Sequence, residues 1–188
     1  GEQYKFGKIK FIGNAGGIFT GSKGTKILCD PWIVDGVFES AWYHYPPLKT
    51  KLSDIQNVDG IYVSHIHPDH YDERHFDFPK DIPLIILNEG PNFLKKNLIN
   101  KGYSNFIEIK NDQTVQFKEF KLTLYKPFTK HIFEESLIGN LIDSALVLEN
   151  DDVTAINFND NQLDENACSF LKNKFKNIDL AMLNYNAA

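Results

Sequence analysis

The segment Ser64-His65-Ile66-His67-Pro68-Asp69-His70 follows directly on the short apolar run Gly60-Ile61-Tyr62-Val63. A strand places side chains two positions apart on the same side. If Gly60 to Val63 is a strand, His65 and His67 at its end present both imidazoles to one point. Pro68 then bends the chain, and Asp69 and His70 face a second point close by. Imidazole nitrogen and carboxylate oxygen are donors that zinc prefers, and a catalytic zinc site keeps one position open for water. Two ions sharing that water bring its pKa to about 7 and supply hydroxide at neutral pH. The bland alternative is a solvated polar loop, which has no need of four ligand-type side chains at this spacing.

Outward from this segment the chain reads as strand-rich. Lys8 to Ile12 alternates as a strand, and Asn14-Ala15-Gly16-Gly17 reads as a turn. Ile18 to Thr20 and Thr25 to Cys29 then form a hairpin across Gly21-Ser22-Lys23-Gly24. Asp30 to Lys51 is long and irregular, yet Trp32, Phe38, Trp42, Tyr43 and Tyr45 make it too aromatic for disorder. Pro83 to Leu87 is another strand. Pro91 to Lys101 is a helix with Phe93, Leu94, Leu98 and Ile99 on one face, ended by Gly102. Strands are predicted at Phe106–Ile109, Thr114–Phe117, Lys121–Lys126, Ser144–Leu148 and Val153–Phe158. Leu163, Ala167, Phe170, Leu171 and Phe175 share a helical stripe, and Ile178–Leu183 is a last buried strand. Such an order fits sheets covered by helices.

The 188 residues carry 42% hydrophobic and 13% aromatic side chains, enough for one domain with a core of its own. Lys plus Arg number 20 against 25 Asp plus Glu, a net charge of −5, which argues against a nucleic-acid partner. Arg74 is the only arginine, so no clamp of guanidinium forks for phosphate is present. Gly13-Asn14-Ala15-Gly16-Gly17 precedes no helix and lacks a following Lys-Ser/Thr, so it reads as a hairpin turn and not a phosphate loop. Cys29 and Cys168 read as free thiols of a reducing compartment. No signal peptide and no apolar run near the ~20 residues of a membrane span is seen. A cytoplasmic location is the expectation.

His65-Ile66-His67-Pro68-Asp69-His70 resembles the H-x-H-x-D-H signature of the metallo-β-lactamase superfamily. Together with Asp30-Pro31-Trp32, it is similar to one branch of that superfamily. The branch includes L-ascorbate-6-phosphate lactonase, N-acylphosphatidylethanolamine phospholipase D and the metal-binding part of CMP-N-acetylneuraminate hydroxylase. The resemblance implies an α/β (α+β) fold, a four-layer αββα sandwich, over residues 1–188 as a single domain. It also implies two divalent ions, zinc first and manganese or iron as alternatives. His65, His67 and His131 would hold one ion; Asp69, His70 and Asp160 would hold the other, Asp160 bridging both. Asp69 would also act catalytically, orienting the nucleophile or accepting its proton. Asp30 would orient a ligand histidine through a hydrogen bond.

Other readings of these residues stay open. His131 beside Lys130 also reads as a surface histidine, and Asp160 as a turn or cap residue. His75 reads as a surface or supporting residue. His44, in Trp42-Tyr43-His44-Tyr45-Pro46-Pro47, lines a substrate pocket with Trp32 or packs within its own loop. Many superfamily members carry a final histidine on the second ion, and none follows His131 here. The end at Asn184-Tyr185-Asn186-Ala187-Ala188 lacks a closing element, which fits a truncated piece; an incomplete second site or a different ligand are the other readings.

The resulting expectation is a hydrolase in which metal-bound hydroxide cleaves an ester, lactone or phosphodiester of a small molecule, with a sugar phosphate or nucleotide sugar as the substrate class. Two rivals belong to other classes: a di-iron oxygenase like the hydroxylase relative, and a metal-binding module without catalysis.

Overall fold

Period-two alternation sorts the apolar residues of this chain into layers. In the strand Ala145–Glu149, Leu146 and Leu148 fall in one cluster and Ala145 and Val147 in another. In Leu84–Leu87, Ile85 faces one way and Leu84 and Ile86 the other. Strands apolar on both faces must be covered on both, so each sheet lies between two other layers. The computed structural model describes residues 3–4, 7–12, 16–29, 57–64, 78–89, 93–126, 144–151, 153–157, 165–175 and 177–182.

Among these residues one sheet runs in the order β1 (Gln3–Tyr4), β2 (Gly7–Ile12), β3 (Gly16–Gly21), β4 (Lys26–Cys29), β5 (Gly60–Tyr62), β6 (Leu84–Leu87) and β7 (Phe106–Ile109). β1 to β4 are antiparallel, and β4 to β7 are parallel. The other sheet holds β8 (Thr114–Phe117), β9 (Phe120–Tyr125), β10 (Ala145–Glu149), β11 (Thr154–Asn157) and β12 (Leu180–Met182). Its spatial order is β12-β11-β10-β9-β8, with only the β11–β12 pair parallel.

The core between the sheets joins Phe19, Ile27, Tyr62 and Ile85 of the first to Leu122, Leu124, Leu146 and Leu148 of the second. Truncating one of these leucines to Ala would cost about 2–5 kcal/mol. Helix α1 (Phe93–Asn100) covers the outer face of the first sheet, where Leu98 meets Ile61, Leu84 and Ile86. Helix α2 (Glu165–Lys174) covers the second, with Leu171 against Tyr125, Val147 and Ile156. The layering is helix, sheet, sheet, helix, the αββα sandwich that the sequence led us to expect. Glu165 in the first turn of α2 and Lys172 and Lys174 in its last suit the helix dipole. Gly102 ends α1 at φ 95°, its N–H on Ile99 and that of Tyr103 on Leu98, a Schellman motif.

Four details differ from the sequence reading. Gly16 and Gly17 are not in a turn but open β3, because they pair with Ile12 and Phe11. Ile99 is 49% exposed: Leu94 and Leu98, four apart, face the sheet, and Ile99 lies a further 100° round the helix. Phe170 is 41% exposed for the same reason, next to the buried Leu171, although its ring meets that of Tyr125 edge-on at 5.7 Å. The last strand is shorter than expected, Leu180–Met182, preceded by an exposed Asp179 whose carboxylate accepts the N–H of Thr154. No helix among the described residues is long and apolar enough to cross a membrane.

Candidate metal centre

Parallel strands end on the same side, and this decides where the candidate ligand segments leave the sheets. Cys29, the last residue of β4, pairs with Tyr62, the last of β5. The chain therefore goes on to Asp30 and to Ser64-His65 from neighbouring strand ends. In the second sheet Tyr125 at the end of β9 pairs with Ala145, and Asn157 at the end of β11 pairs with Leu146 and Met182. The segments that carry His131 and Asp160 follow these two ends.

A direct bond brings the two sets of ends together. The Tyr62 hydroxyl donates to the carbonyl oxygen of Ser144 at 2.8 Å, and the Ser144 hydroxyl lies 2.5 Å from the same phenol oxygen. A phenol has one hydrogen, so the serine hydroxyl must be the donor in the second bond. Strand ends leading toward Asp30, His65, His131 and Asp160 thus share one end of the sandwich. Asp30, Trp32, His44, His65, His67, Asp69, His70, His75, His131 and Asp160 themselves lie outside the described residues.

Several residues at this end were not singled out from the sequence. Ser64, directly before His65, is buried, as are Ser144 and Asn157. By alternation Asn157 shares the inner face with Ala155. A serine or asparagine closing an otherwise apolar strand was the available signal, since buried polar groups are kept only where hydrogen bonds hold them. At the outer side of the same end, Asn111 at the β7–β8 turn accepts the N–H of Lys126 at 2.9 Å, and its own N–H goes to Glu89. The start of the His131 segment is tied down there.

Charge at this rim is paired. Lys174 bonds the Asp112 carboxylate and holds it below the usual range, against a smaller opposing effect of burial. Burial pushes the Tyr125 phenol far up, and the neighbouring Asp112 and Glu149 carboxylates add to it. Tyr125 is therefore a neutral hydrogen-bond donor at any working pH. Its ring packs under α2, edge-on to Phe170 and Phe175, and so faces away from the space between the sheets.

No model of a known protein family matches the chain. Over 191 residues it is 29% identical to a protein of Mycolicibacterium smegmatis named as a Rieske 2Fe-2S iron-sulfur protein, covering 96% of this chain and 34% of that protein. It is 29% identical over 105 residues to the N-acyl-phosphatidylethanolamine-hydrolyzing phospholipase D of Saccharomyces cerevisiae, 54% of this chain and 22% of the relative. The cytidine monophosphate-N-acetylneuraminic acid hydroxylase of Asterias rubens matches at 29% over 98 residues, 44% of this chain and 15% of the enzyme. The chain thus spans about a third or less of the length of these curated relatives.

Among solved structures, an isothiocyanate hydrolase from Delia radicum gut bacteria superposes with a TM-score of 0.73 at 22% identity, covering 96% of this chain and 72% of its own. CmlA, a diiron β-hydroxylase from Streptomyces venezuelae, gives 0.68 at 14%, with 96% and 35% covered. The metallo-β-lactamase fold protein YhfI from Bacillus subtilis gives 0.55 at 14%, with 90% and 62% covered. The fold is that of the metallo-β-lactamase superfamily. Its sequence likeness lies with the branch that holds the phospholipase D and the hydroxylase.

Proposed function

We propose that this chain is a metal-dependent hydrolase with two divalent ions, zinc in the first instance, at the strand ends joined by Tyr62 and Ser144. The observation that carries it is the run His65-Ile66-His67-Pro68-Asp69-His70. In sequence this run follows Ser64, two residues past Tyr62, whose backbone pairs with the end of β4 and whose hydroxyl bonds Ser144. Histidine nitrogens and carboxylate oxygens suit zinc or manganese. On this reading His65, His67 and His131 hold one ion, and Asp69, His70 and Asp160 the other. Bound there, the ions supply Lewis acidity and an ionised water at neutral pH. Asp69 would orient the nucleophile or accept its proton. Asp30, leaving β4 beside Tyr62, fixes the tautomer of a ligand histidine.

The substrate in this reading is a small ester, lactone or phosphodiester, with a sugar phosphate or nucleotide sugar as the class. Trp32 and His44 shape its pocket. Residues 1–188 act as one catalytic domain in the cytoplasm. Cys29 in the core between the sheets and Cys168 on α2 are not joined by a disulfide, which fits the reducing compartment. The test is hydrolysis of a generic phosphodiester and a lactone by protein purified without chelators. Activity with zinc or manganese, lost in His67→Ala, is the expected result; inert protein with tightly bound metal would sink it.

A second reading is favoured by the relatives named for a Rieske cluster and for hydroxylation: the same ligands hold iron for oxygen chemistry. A Rieske cluster needs two cysteines and two histidines. Cys29 and Cys168 sit in different layers, so electrons would have to come from outside these residues. Metal analysis separates the readings, with iron favouring oxidation and zinc or manganese favouring hydrolysis.

A further inference from the structure

The geometry points to Tyr62 and Ser144 as positioning residues that fix, against the second sheet, the strand end from which the histidine run leaves. The inference rests on the proposed ligand set. Tyr62 ends β5, three residues before His65, and its side chain is fully buried on the inner face. Ser144 directly precedes β10, and it too is buried. Two bonds join the residues: phenol to the Ser144 carbonyl at 2.8 Å, and serine hydroxyl to phenol at 2.5 Å. The residues are 82 apart in sequence, so the bond fixes a tertiary distance and not a local turn.

The backbone between Tyr62 and the histidines has little freedom of its own. Val63 donates to the carbonyl of Ile85 at 3.1 Å and packs with Ile61 and Phe78 on the outer face. Ser64 is buried on the other side. A shift of Tyr62 relative to Ser144 would therefore pass directly to Ser64, the residue before His65. Partners that hydrogen-bond the ligands themselves govern metal affinity by about 10–100-fold, and a pair acting through the backbone falls at the lower end of that range or below it.

The test is a chelator competition for zinc and for manganese on the whole chain, with amide exchange at Val63 and Ser64 in metal-free protein. Tyr62→Phe keeps the ring and removes only the hydroxyl. We expect its metal affinity to fall about tenfold and the Ser64 amide to exchange faster. Ser144→Ala leaves the carbonyl acceptor, so a smaller loss in the same direction is expected, and the double variant should lose little beyond Tyr62→Phe. Ser144→Ala alone decides the matter if Tyr62→Phe does not fold. Glu119→Ala, at the far end of the sandwich, is the control for general destabilisation: it should lower the melting temperature and leave affinity unchanged. Unaltered affinity in both Tyr62→Phe and Ser144→Ala overturns the inference while the proposed function stands, as does an equal loss in Glu119→Ala. Failure of the unaltered chain to bind either metal overturns both.

Discussion

Glu119 Oε2 accepts the backbone N–H of Thr25 at 3.1 Å, and its Oε1 accepts that of Lys23 at 3.3 Å. The bonds join the β8–β9 turn of one sheet to the β3–β4 turn of the other, at the end opposite the candidate metal centre. Beside them Asp59 accepts from the Lys26 N–H at 2.8 Å and from Lys118 Nζ at 2.5 Å. Among the described residues, carboxylates bridge the sheets at one end and the Tyr62 and Ser144 hydroxyls bridge them at the other. Acid weakens the carboxylate bridges.

The direction of that effect follows from the two carboxyl groups. Burial pushes the Glu119 carboxyl up, but the Thr25 and Lys23 amides outweigh it and hold the group below its ordinary value. Burial likewise opposes, and Lys118 with the Lys26 amide outweighs, at Asp59. The unfolded chain therefore binds more protons in the window just below the ordinary values of 4.5 and 3.8. Stability is fully present above that window and is lost as pH falls through the folded-state values. Urea unfolding at a series of pH values should show Glu119→Gln and Asp59→Asn less stable than the unaltered protein at pH 7. The curves should converge toward pH 2. A gap that stays constant with pH would refute the assignment.

Gly21 makes room for the same carboxylate. A Cβ built there would lie 1.9 Å from Glu119 Oε1, and the other close atoms also belong to the end of that side chain. Gly21→Ala should displace the carboxylate and lose about 1 kcal/mol, the usual worth of such a hydrogen bond. That is about 2–4 °C in melting temperature for a chain of this length. In a Glu119→Ala background the same substitution should cost almost nothing. Additive losses in the double variant would mean that Gly21 matters for another reason.

Gly102 gives a contrasting case. A Cβ there would sit 3.7 Å from Lys80 Cδ, an ordinary contact, so space is not the obstacle. Its φ of 95° is. Gly102→Ala should cost about 1 kcal/mol through backbone strain alone, and Gly102→Asn should recover part of it. Thermal melts of the two variants check the order.

Strands, hairpin and helices were legible in the sequence because alternation and the 3.6-residue period are local. The histidine run stands out for the same reason, since a strand puts side chains two positions apart on one side and His65 and His67 are two apart. What local pattern misreads is which flank of a stripe is covered: Ile99 and Phe170 sit beside buried Leu98 and Leu171 yet face outward. Gly16 and Gly17 look like a turn until their partners on β2 are known. The Tyr62–Ser144 bond was beyond reach, because it spans 82 residues and two sheets. His131 and Asp160 could be nominated only through resemblance and element order.

The proposed ligand set also predicts unequal ions. Three imidazoles would serve the first, while one imidazole and two carboxylates, from His70, Asp69 and Asp160, would serve the second. Calorimetric titration of metal-free protein with zinc should show a tight step followed by a weaker one. Removing metal with a mild chelator should empty the weaker site first. Asp160→Asn removes the charge shared by both ions but keeps one oxygen donor, so both steps should weaken, the second by the larger factor. His131→Ala should weaken mainly the first. If Asp160→Asn leaves both steps unaltered, the bridging carboxylate must be sought elsewhere, and with it the donor set that makes two-ion hydrolysis chemically reasonable here.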